Sequence, residues 1–131
     1  MAKINVSQFA ILADNAPEDG LSYTVGINFG GAPDARRVAC EFSIEFDHGE
    51  KALLKLAVFC EFDIMAADWD ERVNAGILTL TKSELGLFAN QAVGVARGIL
   101  FCKTEGTPFG RFIVPPINLE TLISEDLNIT I

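Results

Sequence analysis

The sequence predicts one α+β domain: a four-stranded antiparallel sheet followed by a long helix and a short C-terminal helix. Through most of the first half, apolar residues alternate with polar ones, which is typical of strands with one face on a core. From about residue 81 the apolar residues recur at steps of three and four, which indicates a helix. At 131 residues the chain has the length of one domain, so we treat residues 1–131 as a single unit.

The first two predicted strands flank a loop of turn-forming residues. We place the first strand at about residues 6–13 and the loop, which contains Pro17 and Gly20, at 14–20. The second strand follows at 21–29, with alternating apolar residues Leu21, Tyr23, Val25, Ile27 and Phe29. We expect Gly30, Gly31 and Pro33 to end it.

The third and fourth strands are predicted to form a hairpin. They span 38–46 and 52–64, and the turn between them contains Gly49, which can adopt a positive φ. On the second face of the fourth strand, Leu53 and Phe59 stand beside polar residues. This face predicts either a partner surface or ordinary scattered apolar exposure.

A long helix is predicted to begin at a capping box formed by Thr81 and Glu84 and to end near Lys103. One row of this helix has small or polar residues four apart: Gly86, Asn90, Gly94, Gly98 and Cys102. Each interior glycine weakens a helix by about 1 kcal/mol relative to alanine, so we expect close packing of another element to compensate. That element is either part of the same subunit or a second copy. In the second case Phe59 and the row from Gly86 to Gly98 form an oligomer interface.

The remaining chain is predicted to be loop, extended segment and short helix. Residues 104–110 form a loop that has no need to bury Phe109, and Pro115 and Pro116 then force extended backbone. Asn118 is a predicted N-cap for a helix from 119 to about 125. The last residues, 126–131, form either a frayed tail or an edge strand.

Charge and composition exclude several classes of partner. A net charge of −8 and a pI near 4.5 disfavour nucleic acid and anionic lipid. The N-terminal residues do not resemble a signal peptide, and we find no stretch of roughly twenty apolar residues for a membrane span. Three cysteines without CxxC spacing predict a reducing compartment, and we expect a cytoplasmic protein without metal or cofactor.

No catalytic constellation is present in the sequence. His48 is the only histidine and falls in a predicted turn. Asp68, Asp70 and Glu71 flank Trp69, but they lack the further oxygen ligands of a cation site and are interpreted as a solvated loop. We therefore predict that the protein is not an enzyme.

The C-terminal half resembles the SecB family of protein-export chaperones. Residues 96–109 look like the end of a long helix followed by a glycine-containing turn and a Pro-Phe pair, and residues 112–122 look like the extended stretch that leads into a second helix. The element Pro116-Ile117-Asn118-Leu119 is the most specific part. The resemblance extends more weakly over the predicted strands, so that it covers nearly the whole chain.

This resemblance implies a homo-oligomer, a dimer or a tetramer, that holds unfolded polypeptides in apolar grooves. In SecB proteins the grooves lie between the second helix, the segment leading to it and the sheet. Here that implies a peptide-binding groove formed by Tyr23, Phe109, Phe112, Val114, Leu119 and Leu122. Phe109 is the first choice among them.

Two features depart from SecB proteins that deliver clients to the SecA motor. Those proteins end in a basic, glycine-rich tail, whereas this sequence ends in Asn128-Ile129-Thr130-Ile131, and the acidic positions of the family's strands are occupied here by Gln8 and leucines. A SecB-like chaperone without SecA handover, such as one associated with a toxin-antitoxin pair, fits at least as well. A dedicated module for one folded partner and a small-molecule carrier also stay open.

Overall fold

The structure, a computed structural model, describes all of residues 1–131 and has the predicted α+β architecture. The main antiparallel sheet contains β1 (Lys3–Ile11), β2 (Leu21–Ala32), β3 (Arg37–His48) and β4 (Lys51–Asp63). Its strand order is β1-β4-β3-β2, so the β3–β4 hairpin is central and β1 and β2 are the edges. The predicted hairpin is confirmed, and Gly49 has the expected positive φ of 63°.

The first strand begins three residues earlier than predicted and contains a bulge. The register with β4 shifts between Val6 and Gln8, so Ser7 is the additional residue. Because of this bulge, Ile4 and Val6 before it and Phe9 and Ile11 after it share one face of the sheet. A strict period-two pattern cannot place the residues before the bulge and those after it on one face. The predicted start at about residue 6 was therefore wrong.

The second strand continues through the glycines that were expected to end it. It ends at Ala32, and Pro33 starts a 3-10 turn over Pro33–Ala35. Gly31 lies against the chain's C-terminal segment, because a Cβ at this position would collide with Cδ1 of Ile129. The glycine therefore permits a close approach between two elements rather than a turn.

The long helix, α2 (Lys82–Thr104), begins at the predicted capping box. The N–H of Glu84 donates to Oγ1 of Thr81 over 3.3 Å, and the N–H of Thr81 donates to Oε1 of Glu84 over 3.2 Å. The buried side of α2 packs on β3 and β4 and consists of Leu85, Ala89, Ala92, Val93, Ala96, Leu100 and Thr104. The inward residues of both strands, such as Phe42 and Val58, are fully buried beneath it.

A small second sheet was not predicted as such. Between β4 and α2 lie α1 (Ala66–Glu71), β5 (Val73–Asn74) and β6 (Ile77–Leu80), and β7 (Leu127–Thr130) pairs with β6 in the order β5-β6-β7. Of the two alternatives for the final residues, the strand is confirmed. The β5–β6 turn has positive φ at Ala75 (53°) and Gly76 (77°), and alanine in that conformation gives little sequence signal.

The second C-terminal helix is shorter than predicted. α3 (Leu119–Leu122) is a single turn, and the predicted helix does not continue to residue 125. Its predicted cap is confirmed, because the Asn118 side chain accepts a hydrogen bond from the N–H of Glu120 over 3.1 Å. The rest of the predicted helix is replaced by the connection to β7.

By length and composition, α2 could cross a membrane, with a mean hydropathy of 1.4 over an eighteen-residue window of which 33% is buried. The sequence-based expectation that no segment is long and apolar enough for a membrane span is therefore wrong by this criterion. Core helices of globular proteins meet the same criterion, and one side of α2 lies on the sheet here.

Candidate functional site

The segment after α2 is buried where the groove prediction required exposure. Phe109 and Phe112 are each 2% exposed and Val114 is 1% exposed. The Phe112 ring lies 5.0 Å from that of Phe46 on β3 and 5.2 Å from that of Phe109, measured between ring centroids. These three predicted groove residues are therefore part of the core. Phe109 is buried, although it lies in a loop, because the loop folds back over the inner face of the sheet.

Two arginines fix this segment through backbone carbonyls. Arg97 of α2 donates from Nε to the carbonyl of Val114 and from Nη2 to that of Pro115, both over 3.0 Å. Arg111 donates to the carbonyls of Ala16 and Pro17 in the loop between β1 and β2. The chain therefore enters α3 from a defined position along one side of α2.

Leu119 and Leu122 do lie at open grooves, one on each side of α3. The first, which we call the α3 groove, has a volume of about 420 Å³. It opens between β2, the start of α2 and the α3–β7 connection, and its apolar lining residues are Ile27, Phe29, Leu85, Leu122, Ile123 and Leu127. Groups from three different parts of the chain thus meet there.

The second, which we call the Lys82 groove, has a volume of about 510 Å³ and a smaller share of apolar lining residues. It is lined by Lys82, Ser83, Gly86, Leu119, Glu120 and Ile123. Ile123 borders both grooves, so they are adjacent across α3. Asp126 accepts a hydrogen bond from the backbone N–H of Lys82 over 2.9 Å and links the end of this region to the first turn of α2.

Tyr23 does not line either groove. Its side chain is 49% exposed on the inner face of β2, beside Phe46 in the sheet register. Ile27 lies four positions further along the strand, a distance of about 13 Å. The predicted set thus contains one exposed outlier, three core residues and two groove residues.

The glycine row of α2 has no partner within the subunit. A Cβ built on Gly86, Gly94 or Gly98 meets no atom within 4 Å, so packing inside the subunit is excluded as its explanation. At about 100° per residue, each four-residue step turns the row by about 40°. Gly86 therefore lies beside the Lys82 groove, whereas Asn90, Gly94 and Gly98 are exposed.

Two large apolar side chains share this exposed face of α2 and were not singled out from the sequence. Leu87 is 69% exposed and Phe101 is 63% exposed. They lie seven residues before and after Gly94, close to two helical turns in each direction. Their position seven residues on either side of Gly94 was the available signal, and the four-residue glycine row obscured it. We call the surface formed by Leu87, Gly94, Gly98 and Phe101 the α2 outer face.

Phe59 is not part of the same surface. Its neighbours Val58 and Cys60 face α2 and are fully buried, so Phe59 points to the opposite side of the sheet, where it is half-buried. Leu53 is also buried, at 3% exposure, but it lies at a register shift in the β3–β4 hairpin and packs with the core. Phe59 and the glycine row therefore lie on opposite sides of the sheet and do not form one continuous surface.

An apolar flank on β1 is a further surface that the sequence did not reveal. Ile4 and Ile11 face the same side as α2 but are 52% and 39% exposed, because α2 lies over β3 and β4 and leaves the edge strand partly uncovered. Lys103 at the end of α2 places its Nζ 5.1 Å from the Phe9 ring centroid. The bulge at Ser7 hid this row from the sequence pattern.

The ionisable groups outside the grooves have structural explanations. Burial raises the pKa of the Cys40 thiol to about 12 and raises the pKa of Cys60, its cross-strand neighbour. Trp69, between the acids at 68, 70 and 71, is buried while those acids are exposed, and no group of three or more His, Cys, Asp or Glu side chains is arranged to hold a metal ion.

No protein-family model, curated protein or solved structure matches this chain at a significant level. The features that bear on function are therefore the two grooves, the α2 outer face and the chemistry of their residues.

Proposed function

We propose that this protein is a SecB-like holding chaperone, which binds unfolded polypeptide segments in the grooves beside α3. The observation that carries the proposal is the α3 groove, where apolar side chains of β2, α2 and the C-terminal segment surround an open trough of about 420 Å³. Binding of this kind requires no reaction and no cofactor.

The chemistry of the groove suits an unfolded client. Ile27, Phe29 and Leu122 provide apolar surface for client side chains, and burying such side chains contributes about 25 cal/mol per Å² of apolar area removed from water. Glu125 and Asp126 lie at the rim, in a chain of net charge −8. We therefore expect a preference for client segments that combine apolar residues with lysine or arginine.

We further propose that the functional form is a homo-oligomer that uses the α2 outer face. A two-fold axis at Gly94 would place Leu87 of one antiparallel helix opposite Phe101 of the other, with the glycines between them. Because no side chain fills the centre, the two backbones could approach closely. This pairing would cover both large exposed apolar side chains of the face.

The direct test is aggregation suppression at stoichiometric amounts. We expect the protein to keep several unrelated clients soluble, for example chemically denatured citrate synthase and reduced, carboxymethylated α-lactalbumin. Leu122→Ser should weaken client binding several-fold because it removes apolar surface from the α3 groove. Leu21→Ser makes the same change at an exposed position outside both grooves and should leave binding unchanged.

Two outcomes would contradict the proposal. The first is that no unfolded client is held at any ratio. The second is that the protein binds a single native partner and ignores unfolded chains, which would instead support a dedicated interaction module.

A further inference from the structure

The C-terminal strand β7 pairs with one edge of β6. Its side chains alternate between apolar and polar residues. Leu127 lies opposite Leu80, and Ile129 lies opposite Leu78. Both leucines of β6 are fully buried, whereas the β7 residues between and beyond them are exposed. A short extended segment of this chain therefore covers part of the core through two side chains.

Ile129 of this strand packs against β2. Its Cδ1 occupies the space that a Cβ would take at Gly31, so it lies directly against the backbone of β2. The neighbouring Gly30 has no atom within 4 Å of the corresponding Cβ position. The contact is thus specific to one of the two adjacent glycines.

β7 is also a wall of the α3 groove. Leu127 and Asn128 line it from one side, while Ile27 and Phe29 of β2 line it from the other. Any polypeptide that enters this groove therefore meets β7 directly. An extended client would present the same features as the strand: free backbone groups and alternate apolar side chains.

Few interactions hold β7 in place. Outside the four paired positions, the polar contacts are the 2.8 Å hydrogen bond from Thr79 Oγ1 to Asn128 Oδ1, the cap by Asp126, and the 2.9 Å bond from the N–H of Ile131 to the Gly76 carbonyl. Four residues can leave a sheet edge at small cost when an equivalent strand replaces their hydrogen bonds.

We propose that β7 is a displaceable strap, which occupies in cis the edge of β6 to which a client segment with alternating apolar residues adds. This inference rests on the proposed function and names how its site is regulated. In the closed state β7 is paired with β6 and competes with the client; in the open state β7 has left this edge. The apparent affinity for the client is therefore proportional to the fraction of protein in the open state.

A reversible lock tests the strap. Thr79 and Asn128 are direct cross-strand partners, so Thr79→Cys with Asn128→Cys places two thiols at a separation that a disulfide can span. The background is Cys102→Ser, since Cys102 is exposed. Oxidation should weaken binding of reduced, carboxymethylated α-lactalbumin about tenfold or more, and dithiothreitol should restore it.

A matched glycine pair tests the same inference in the opposite direction. Gly31→Ala forces the Ile129 side chain out of its position and should strengthen client binding several-fold. Gly30→Ala introduces the same methyl group into open space and should leave binding unchanged. Thermal melting of both variants establishes that the main sheet is intact.

Amide hydrogen exchange of β6 and β7 separates failure of this inference from failure of the proposed function. Client binding with faster exchange in β7 and retained protection in β6 supports the strap. Client binding with unchanged exchange in β7 and equal affinity of the oxidised and reduced lock overturns the strap and leaves the chaperone proposal intact. Failure of every variant, including the reduced lock and Gly31→Ala, to bind any unfolded client overturns both.

Discussion

The ring centroids of Phe46 and Phe112 are 5.0 Å apart, with the ring planes tilted by 41°. This contact joins central strand β3 to the segment that follows α2. It fixes the start of the path that ends in α3, and therefore the position of both grooves. The position of the candidate site thus depends on an aromatic residue that does not line it.

We predict that Phe112→Ala destabilises the protein by about 3–5 kcal/mol, since it removes a buried aromatic side chain and leaves a cavity. Urea denaturation followed by circular dichroism measures this change. Ile113→Ala is the matched control, because the neighbouring Ile113 is 65% exposed and its truncation should change the free energy of unfolding by less than about 1 kcal/mol. Equal losses for the two variants would show that Phe112 is not a core residue.

A second prediction concerns Gly94 on the α2 outer face. A small substitution there should stabilise the subunit, whereas a large one should disrupt the oligomer. Gly94→Ala should stabilise the isolated subunit by up to about 1 kcal/mol, because the new methyl group enters open space and raises helix propensity. Gly94→Leu should dissociate the oligomer, since a large side chain at the centre prevents close approach of two helices.

Sedimentation velocity over a range of concentrations measures the assembly. Glu105→Leu, an exposed change just beyond α2, controls for added apolar surface. A wild-type protein that sediments as a monomer at tens of micromolar would contradict the proposed pairing.

A third prediction concerns the capping box and acid stability. Burial alone would raise the pKa of Glu84, but hydrogen bonds from Arg72 and Thr81 outweigh it and lower that pKa below its ordinary value of 4.5. The carboxylate therefore contributes stability that is fully present above pH 4.5 and is lost as the pH falls through the lowered pKa.

The difference in free energy of unfolding between wild type and Glu84→Gln should then be constant at neutral pH and shrink below about pH 4.5. Thr81→Ala removes the other half of the box and should cost about 1 kcal/mol at neutral pH. Chemical denaturation at several pH values measures both effects. A difference that grew on acidification would have the wrong sign for this assignment.

A fourth prediction separates the three cysteines by reactivity. Cys40 and Cys60 are fully buried, and burial raises the pKa of Cys40 to about 12, so both should resist Ellman's reagent at pH 8 in the native protein. Cys102 is exposed and should react. We expect one titratable thiol per native chain and three in denaturant. Three fast native thiols would contradict the burial of the inward β3 and β4 side chains beneath α2.

Cys102 also reports on assembly, because it lies beside Phe101 on α2. If oligomerisation covers the α2 outer face, its reaction should slow with increasing protein concentration and recover in Gly94→Leu. A rate that is independent of concentration in a protein shown to be oligomeric would place the interface elsewhere.

The sequence was most informative where one local pattern persists over many residues. The alternation in β2, β3 and β4 identified the strands, Gly49 identified the hairpin turn, and Thr81 with Glu84 identified the start of α2. Each of these features depends on residues that are close together in the sequence, so a short window contains both the pattern and its physical cause.

Local patterns failed where burial depends on distant chain. The loop position of Phe109 predicted exposure, but that loop folds over the sheet and buries the side chain. The sequence also grouped Phe59 with Gly94, although the two lie on opposite sides of the sheet. The β6–β7 pair joins residues about fifty positions apart, which no short window can detect.

The four strands of the main sheet, the capped helix and the acidic charge can be predicted without a structure, because period, capping chemistry and net charge are local or additive properties. The fold was needed to show which apolar residues stay accessible, such as Leu122 at a groove and Leu87 and Phe101 on an outer face, and that Phe112 lies in the core. Exposure depends on what packs over a residue, and the covering element comes from elsewhere in the chain.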